Sequence, residues 1–181
     1  MQPTIKTKWN IEKLHSTMGF KVKHLVVLNV SGEFKEYEAS IHTTGEGFHN
    51  VEINVRINPA SISTGDAARD AHLKGAGFLD VETFKAINFS GNRLEDTGDN
   101  KYALYGDLTM KGITRKIGLA VEFDAIAKGP RGDKRAYFSV TGKINRKNWG
   151  LTWSELMESG GAVVGEDILV SCEIELINNI L

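Results

Sequence analysis

Arg69, Asp70 and His72 put a cation, a carboxylate and a titratable ring within one helical turn. Arg69 and His72, three apart on one helix face, can meet a pyrophosphate, carboxylate or carbonyl head group. Equally, Asp70 pairing with Arg69 leaves a helix that only fixes a loop. His15 beside Ser16, with His24 further on, raises nucleophilic or metal chemistry. A catalytic serine needs a base, an orienting acid and an oxyanion hole, and no glycine-flanked nucleophile elbow occurs. The histidines, His15, His24, His42, His49 and His72, show no H-E-x-x-H spacing, and the single Cys172 cannot build a structural zinc site. Spacing leaves open only a metal site assembled from distant strands. Gly75 and Gly77 lack the third glycine and the preceding strand of a dinucleotide site. The tripeptide Arg131, Gly132, Asp133 is taken as a chance loop sequence. The expectation is therefore no catalytic residue, no metal and no cofactor.

The elements that hold these residues are mostly strands. Val51, Ile53, Val55 and Ile57 alternate with Glu52, Asn54, Arg56 and Asn58, the period-two pattern of a half-buried strand, and Pro59 ends its ladder. The same alternation marks Met18 to His24, Tyr37 to Thr43, Ile87 to Phe89, Tyr102 to Met110, Ile117 to Asp124, Ala136 to Ile144 and Ile168 to Leu176. The apolar run from Leu25 is expected to continue as strand to Gly32, with a bend or bulge at Ser31 and Gly32. Residues 96–100 form a polar turn, Lys111 and Gly112 a tight hairpin, and residues 128–134 a loop. Around residues 66–80 the texture changes: Thr64 or Asp66 can cap a short helix, alanine-rich residues 67–74 form it, and Gly75 and Gly77 stop it. About eight to ten strands with one apolar face each predict an all-β antiparallel barrel or sandwich. The small residues Gly106, Ala136 and Gly142, on the inward face, either leave room inside or let strands bend.

At 181 residues the chain suits a single domain, residues 1–181. Its 22 basic and 23 acidic residues give a formal charge of −1, which excludes a strong field for nucleic acid or an anionic surface. No apolar run approaches the roughly 18 residues of a membrane span; residues 25–28 are a typical short one. The chain passes directly into Lys6 and Lys8 without a signal-peptide core, so as written it is expected in the cytoplasm. Exposed strand edges at residues 6–9 or at Asn178 leave a homodimer open.

A family signature runs along the chain in order: Trp9, Asn10, Ile11; His15, Ser16; Phe20, Lys21, Val22, Lys23, His24; Val30, Ser31, Gly32, Glu33, Phe34; Arg69, Asp70, Ala71, His72, Leu73 with Phe78 and Asp80; Leu108, Thr109, Met110, Lys111, Gly112, Ile113, Thr114; and Asn145, Arg146 with Trp149, Gly150, Leu151. Together these resemble the YceI-like family. The resemblance implies an extended lipocalin-like antiparallel β-barrel of about eight strands with a helical insertion, and binding of a long isoprenoid or other amphiphilic lipid without an established reaction. Two departures stand out. Many members are exported, being periplasmic or secreted, and carry a leader, and a proline common before the strand at Ile87 is Ala86 here.

The leading expectation is thus non-enzymatic binding, carriage or storage of an isoprenoid, quinone-like or fatty-acyl molecule inside the barrel. The residues expected to line the site are Phe20, Val22, Phe34, Ile53, Val55, Phe89, Leu104, Leu108, Phe138 and Val140. Arg69, His72 and Arg146 are the head-group candidates, and Phe78 and Trp149 supply apolar wall or an aromatic collar. The alternative is a hydrolase or isomerase acting on a lipid-like substrate, with His72 or His15 as general base.

Overall fold

The computed structural model describes residues 5–25, 27–154 and 163–178. Residues 1–4 of the expected leaderless start, and Val26 of the apolar run at 25–28, lie outside the described residues. The strands are β1 (Lys6–Ile11), β2 (Thr17–His24), β3 (Leu28–Phe34), β4 (Tyr37–Thr44), β5 (Val51–Ile57), β6 (Ile62–Ser63), β7 (Ile87–Gly98), β8 (Lys101–Met110), β9 (Ile113–Lys128), β10 (Lys134–Asn145) and β11 (Val164–Asn178). The helix α1 (Ala67–Lys74) falls between β6 and β7.

Each strand must bury one apolar face, and the register lets all of them share one interior. Neighbours follow the order β1, β4, β5, β7, β8, β9, β10, β11, and the ring closes where Asn10 and Ile11 of β1 meet Ile177 and Leu176 of β11. The result is an eight-stranded, all-antiparallel closed barrel. Closure also pairs the edges at residues 6–9 with β4 and Asn178 with Lys134. The upper half of β11 instead pairs with β2, β2 with β3, and β3 with β6, so the wall rises higher on that side. The β2–β3 turn, α1 and residues 146–153 occupy this upper end. The turn at Asp99 and Asn100 and the loop before β10 occupy the lower one.

Local chemistry sets the turns. Lys111 and Gly112 have φ of 49° and 72°, the left-handed pair that a two-residue hairpin needs. The strand expected to run from Leu25 to Gly32 is corrected: His24 pairs with Leu28, so the chain reverses there, and β3 passes straight through Ser31 and Gly32. That turn is built from apolar residues, with Leu25 at φ 52°, and carries none of the usual glycine, asparagine or proline signals. The expected turn at 96–100 is tighter too, because Asp96 still pairs with Tyr102 and Gly98 with Lys101.

Two clusters form the core. The upper one gathers Ile62, Phe78, Leu79, Met110, Trp149 and Leu151, and the lower one Trp9, Ile41, Leu104, Val121, Ala136, Phe138 and Leu176. Of the small inward residues, Gly106 and Gly142 leave no void. A Cβ on Gly106 would stand 2.6 Å from Cζ of Phe89, and one on Gly142 2.5 Å from Cδ2 of Leu119, so neighbouring side chains already fill those gaps.

Candidate functional site

The barrel is hollow, with an interior cavity of about 690 Å³. Phe20, Val22, Phe34, Ile53, Val55, Phe78, Phe89, Leu104, Leu108, Phe138 and Val140 line it, together with Arg69, His72 and Arg146. These side chains come from opposite walls, and the alternation that turns each inward is what brings them together. Trp149 stands apart. It is 2 % exposed and lies behind the wall, its indole Nε1 donating to the Leu108 carbonyl at 3.0 Å. Trp153, four residues on, lines the cavity instead.

An aromatic group stands at the lower end. Phe48 lies with its centroid 5.0 Å from Trp9 and edge-on to Phe138 at 4.9 Å. Trp9 is anchored by donating Nε1 to Thr43 Oγ1 at 3.1 Å, so its polar edge is satisfied. Among the described lining residues only Lys23, Ala68 and His72 are exposed, which places the opening between the top of β2 and α1.

The polar groups near this opening are mostly tied to the backbone. Asp66 caps α1, its carboxylate accepting from Arg69 N–H at 3.0 Å. Arg69 and Asp70 do not pair with one another; both hold Thr64. Arg69 donates Nε to Thr64 Oγ1 (2.8 Å) and Nη2 to the Thr64 carbonyl (2.9 Å), while Asp70 Oδ1 accepts from Thr64 N–H (2.9 Å) and Oγ1–H (2.6 Å). His72 stands edge-on to Trp153 (4.7 Å) and Phe78 (5.2 Å), forming an aromatic roof with one titratable face. Arg146, 2 % exposed, donates Nε to the Gly165 carbonyl (2.8 Å), Nη1 to the Leu151 carbonyl and Nη2 to the Val164 carbonyl (3.4 Å). Burial pulls its pKa down while Glu166 pushes it up, and a guanidinium stays charged throughout.

His15 and Ser16 lie away from the cavity, on the outer face of β11. His15 Nδ1 stands 2.6 Å from Glu175 Oε2, and Ser16 Oγ accepts from Glu175 N–H at 3.0 Å. Glu175 is 1 % exposed, and Arg135 (2.7 Å) and Tyr137 (3.2 Å) donate to its other oxygen. Burial pushes its carboxyl up, but the hydrogen bonds from Arg135, His15 and Tyr137 outweigh it and hold the pKa below the usual glutamate range. Asp133 of the expected chance tripeptide is likewise buried, facing Arg135 at 2.8 Å. Cys172 lines the cavity, with Sγ 3.6 Å from Met18 Sδ, and burial raises its pKa, which disfavours the reactive thiolate. Among the described residues no three His, Cys, Asp or Glu side chains gather as metal ligands, and no helix is long and apolar enough to cross a membrane.

Part of the wall lies outside the lining set expected from the sequence. Ile168, Val170, Cys172 and Ile174 of β11 line the cavity, and their alternation was a sufficient signal. Phe48 comes from the turn-rich segment between β4 and β5, where no periodicity marks it.

Among the described residues, the closed antiparallel barrel surrounds an apolar interior that opens between the top of β2 and α1, the architecture of eight-stranded barrels that have room for a small ligand. The chain belongs to the YceI-like family, whose domain model matches residues 9–176. A UPF0312 protein of Staphylococcus aureus (strain N315) is 34% identical over 170 residues, covering 93% of this chain and 96% of its own. The Campylobacter jejuni YCEI protein is 29% identical with a TM-score of 0.72, covering 93% and 96% of the two chains. A polyisoprenoid binding domain from Saccharophagus degradans shares the fold at a TM-score of 0.63 and 13% identity, covering 94% and 98%.

Proposed function

We propose that this protein binds and carries, or stores, a long apolar chain such as an isoprenoid, quinone-like or fatty-acyl lipid, without transforming it. The cavity carries this reading. At about 690 Å³, and with a methylene filling roughly the 30 Å³ of a water molecule, it accommodates a chain of about twenty carbons or more. Removing about 400 Å² of such a tail from water contributes on the order of 10 kcal/mol before association costs, enough for micromolar or tighter binding. The YceI-like family and the polyisoprenoid binding of the Saccharophagus degradans domain support the isoprenoid class. Tail recognition falls to Phe20, Phe34, Val55, Phe89, Leu108, Phe138 and Val140, and head-group contact to His72 and Arg69 at the opening. Arg146 holds the upper wall in shape.

Native mass spectrometry of freshly purified protein, followed by organic extraction, is expected to reveal a co-purified apolar chain. A clean apo mass, with no uptake of a fluorescent polyene, overturns the reading. His72→Ala should weaken polyene binding modestly; turnover of lipid esters by the wild type, abolished in this variant with binding intact, would establish the hydrolase alternative instead.

A further inference from the structure

The turn between β2 and β3 carries its apolar side chains outward. Leu25, Val27 and Leu28 are 37 %, 77 % and 54 % exposed at the tip of the wall. Turns of this kind are ordinarily glycine, asparagine or aspartate, which tolerate positive φ and face water at no cost. Here Leu25 holds φ 52°, an uncommon conformation for a leucine, fixed by its N–H donating to the Val163 carbonyl at 2.9 Å. A local rule broken at an exposed, well-anchored position marks function more than folding.

The position of this tip matters. His24, at its base, and Val163, bonded to it, both line the cavity, and the opening lies alongside. Beside β3, β6 runs antiparallel to it toward the tip, and α1 follows on the other side of the opening with Ala67, Ala68 and Ala71 exposed. Apolar groups therefore flank the opening. Among the described residues the unmatched charge on this wall is positive: Lys21 and Lys23 on β2 have no acidic partner there, whereas Glu166 and Asp167 on β11 are matched by Lys147 (2.6 Å) and Lys143 (3.8 Å). Glu33, further down β3, is matched by Lys35.

We propose that this end of the barrel docks on an anionic lipid bilayer, Leu25, Val27 and Leu28 of the tip entering the acyl boundary while Lys21 and Lys23 meet lipid phosphates. An apolar tip flanked by lysines is the chemistry of interfacial membrane attachment. The inference rests on the lipid-carrying reading above and gives it a route: the opening faces the bilayer, and a long chain passes between membrane and cavity without crossing water. The protein's overall charge of −1 does not oppose this, because the attraction is local and screened beyond a Debye length.

The test is flotation of the full chain with phosphatidylcholine vesicles, with and without phosphatidylglycerol, beside Val27→Ser/Leu28→Ser and Lys21→Glu variants. Neither variant touches a cavity-lining residue, and circular dichroism checks that each folds. Wild-type protein should float with the anionic vesicles, and the double variant should bind them about tenfold less or weaker still. Lys21→Glu should weaken binding to anionic but not to neutral vesicles. Polyene uptake from cyclodextrin should be unchanged in both variants, while uptake from vesicles slows. Wild-type protein that stays unbound, or a double variant that floats equally well, overturns the proposal. So does a concentration-dependent dimer lost in the double variant without flotation, which would assign the tip to a second copy of this chain. Failure of polyene uptake from cyclodextrin by wild-type protein would defeat the lipid-carrying reading, and flotation is measured without it.

Discussion

Arg146 commits its guanidinium to the carbonyls of Gly165, Leu151 and Val164 in a nearly water-free place, so its side chain holds the 146–153 turn to the start of β11. Replacing it with methionine keeps volume and removes every donor. Arg146→Met should lower stability by about 3 kcal/mol, read from the urea midpoint, because buried carbonyls are left unpaired. Arg146→Lys should recover only part of this, since an ammonium cannot reproduce the planar fork. Glu175 is a second such residue. Its folded-state pKa lies below the ordinary value, so its contribution is complete above the usual glutamate range and is lost as pH falls through the lowered value. Urea midpoints should therefore drop on acidification from about pH 5 to about pH 3, and Glu175→Gln should flatten that dependence while lowering stability at neutral pH.

At the scale of elements, α1 and the β2–β3 turn frame the opening by opposite means. The helix is eight residues long, too short to persist on its own, and depends on the Asp66 cap and on Arg69 and Asp70 gripping Thr64. Asp66→Ala should accelerate amide hydrogen exchange at Arg69 and Asp70 while leaving the barrel strands protected, the sign of a locally loosened element. The helix was legible in the sequence because alanines, an acidic cap and terminal glycines are local signals. The β2–β3 reversal was not, because a turn of leucine and valine looks like strand until its partner is known. Trp149 and Trp153 show the same limit: four residues apart in one irregular segment, one hydrogen-bonds behind the wall and the other faces the cavity.

For the whole molecule, the decisive quantity is enclosed volume. Val140, mid-barrel between Val121 and Cys172 in the ladder, points into the cavity. Val140→Trp should fill that space and reduce polyene uptake at least about tenfold, measured by fluorescence titration, with a thermal midpoint near that of the wild type if the cavity takes the indole without overpacking. Apart from the β2–β3 reversal, the alternating strands, their inward faces, the short helix and the family were all readable from the residues alone, because alternation, capping and turn residues act within a few positions. That the interior is hollow emerges only once the strands are assembled. Gly106 and Gly142 are filled by Phe89 and Leu119, and the space arises from the girth of an eight-stranded ring that its side chains do not reach across. The tertiary structure likewise decided that Arg146 braces a loop while His72 stands at the opening, since hydrogen-bond partners come from strands far apart in the chain.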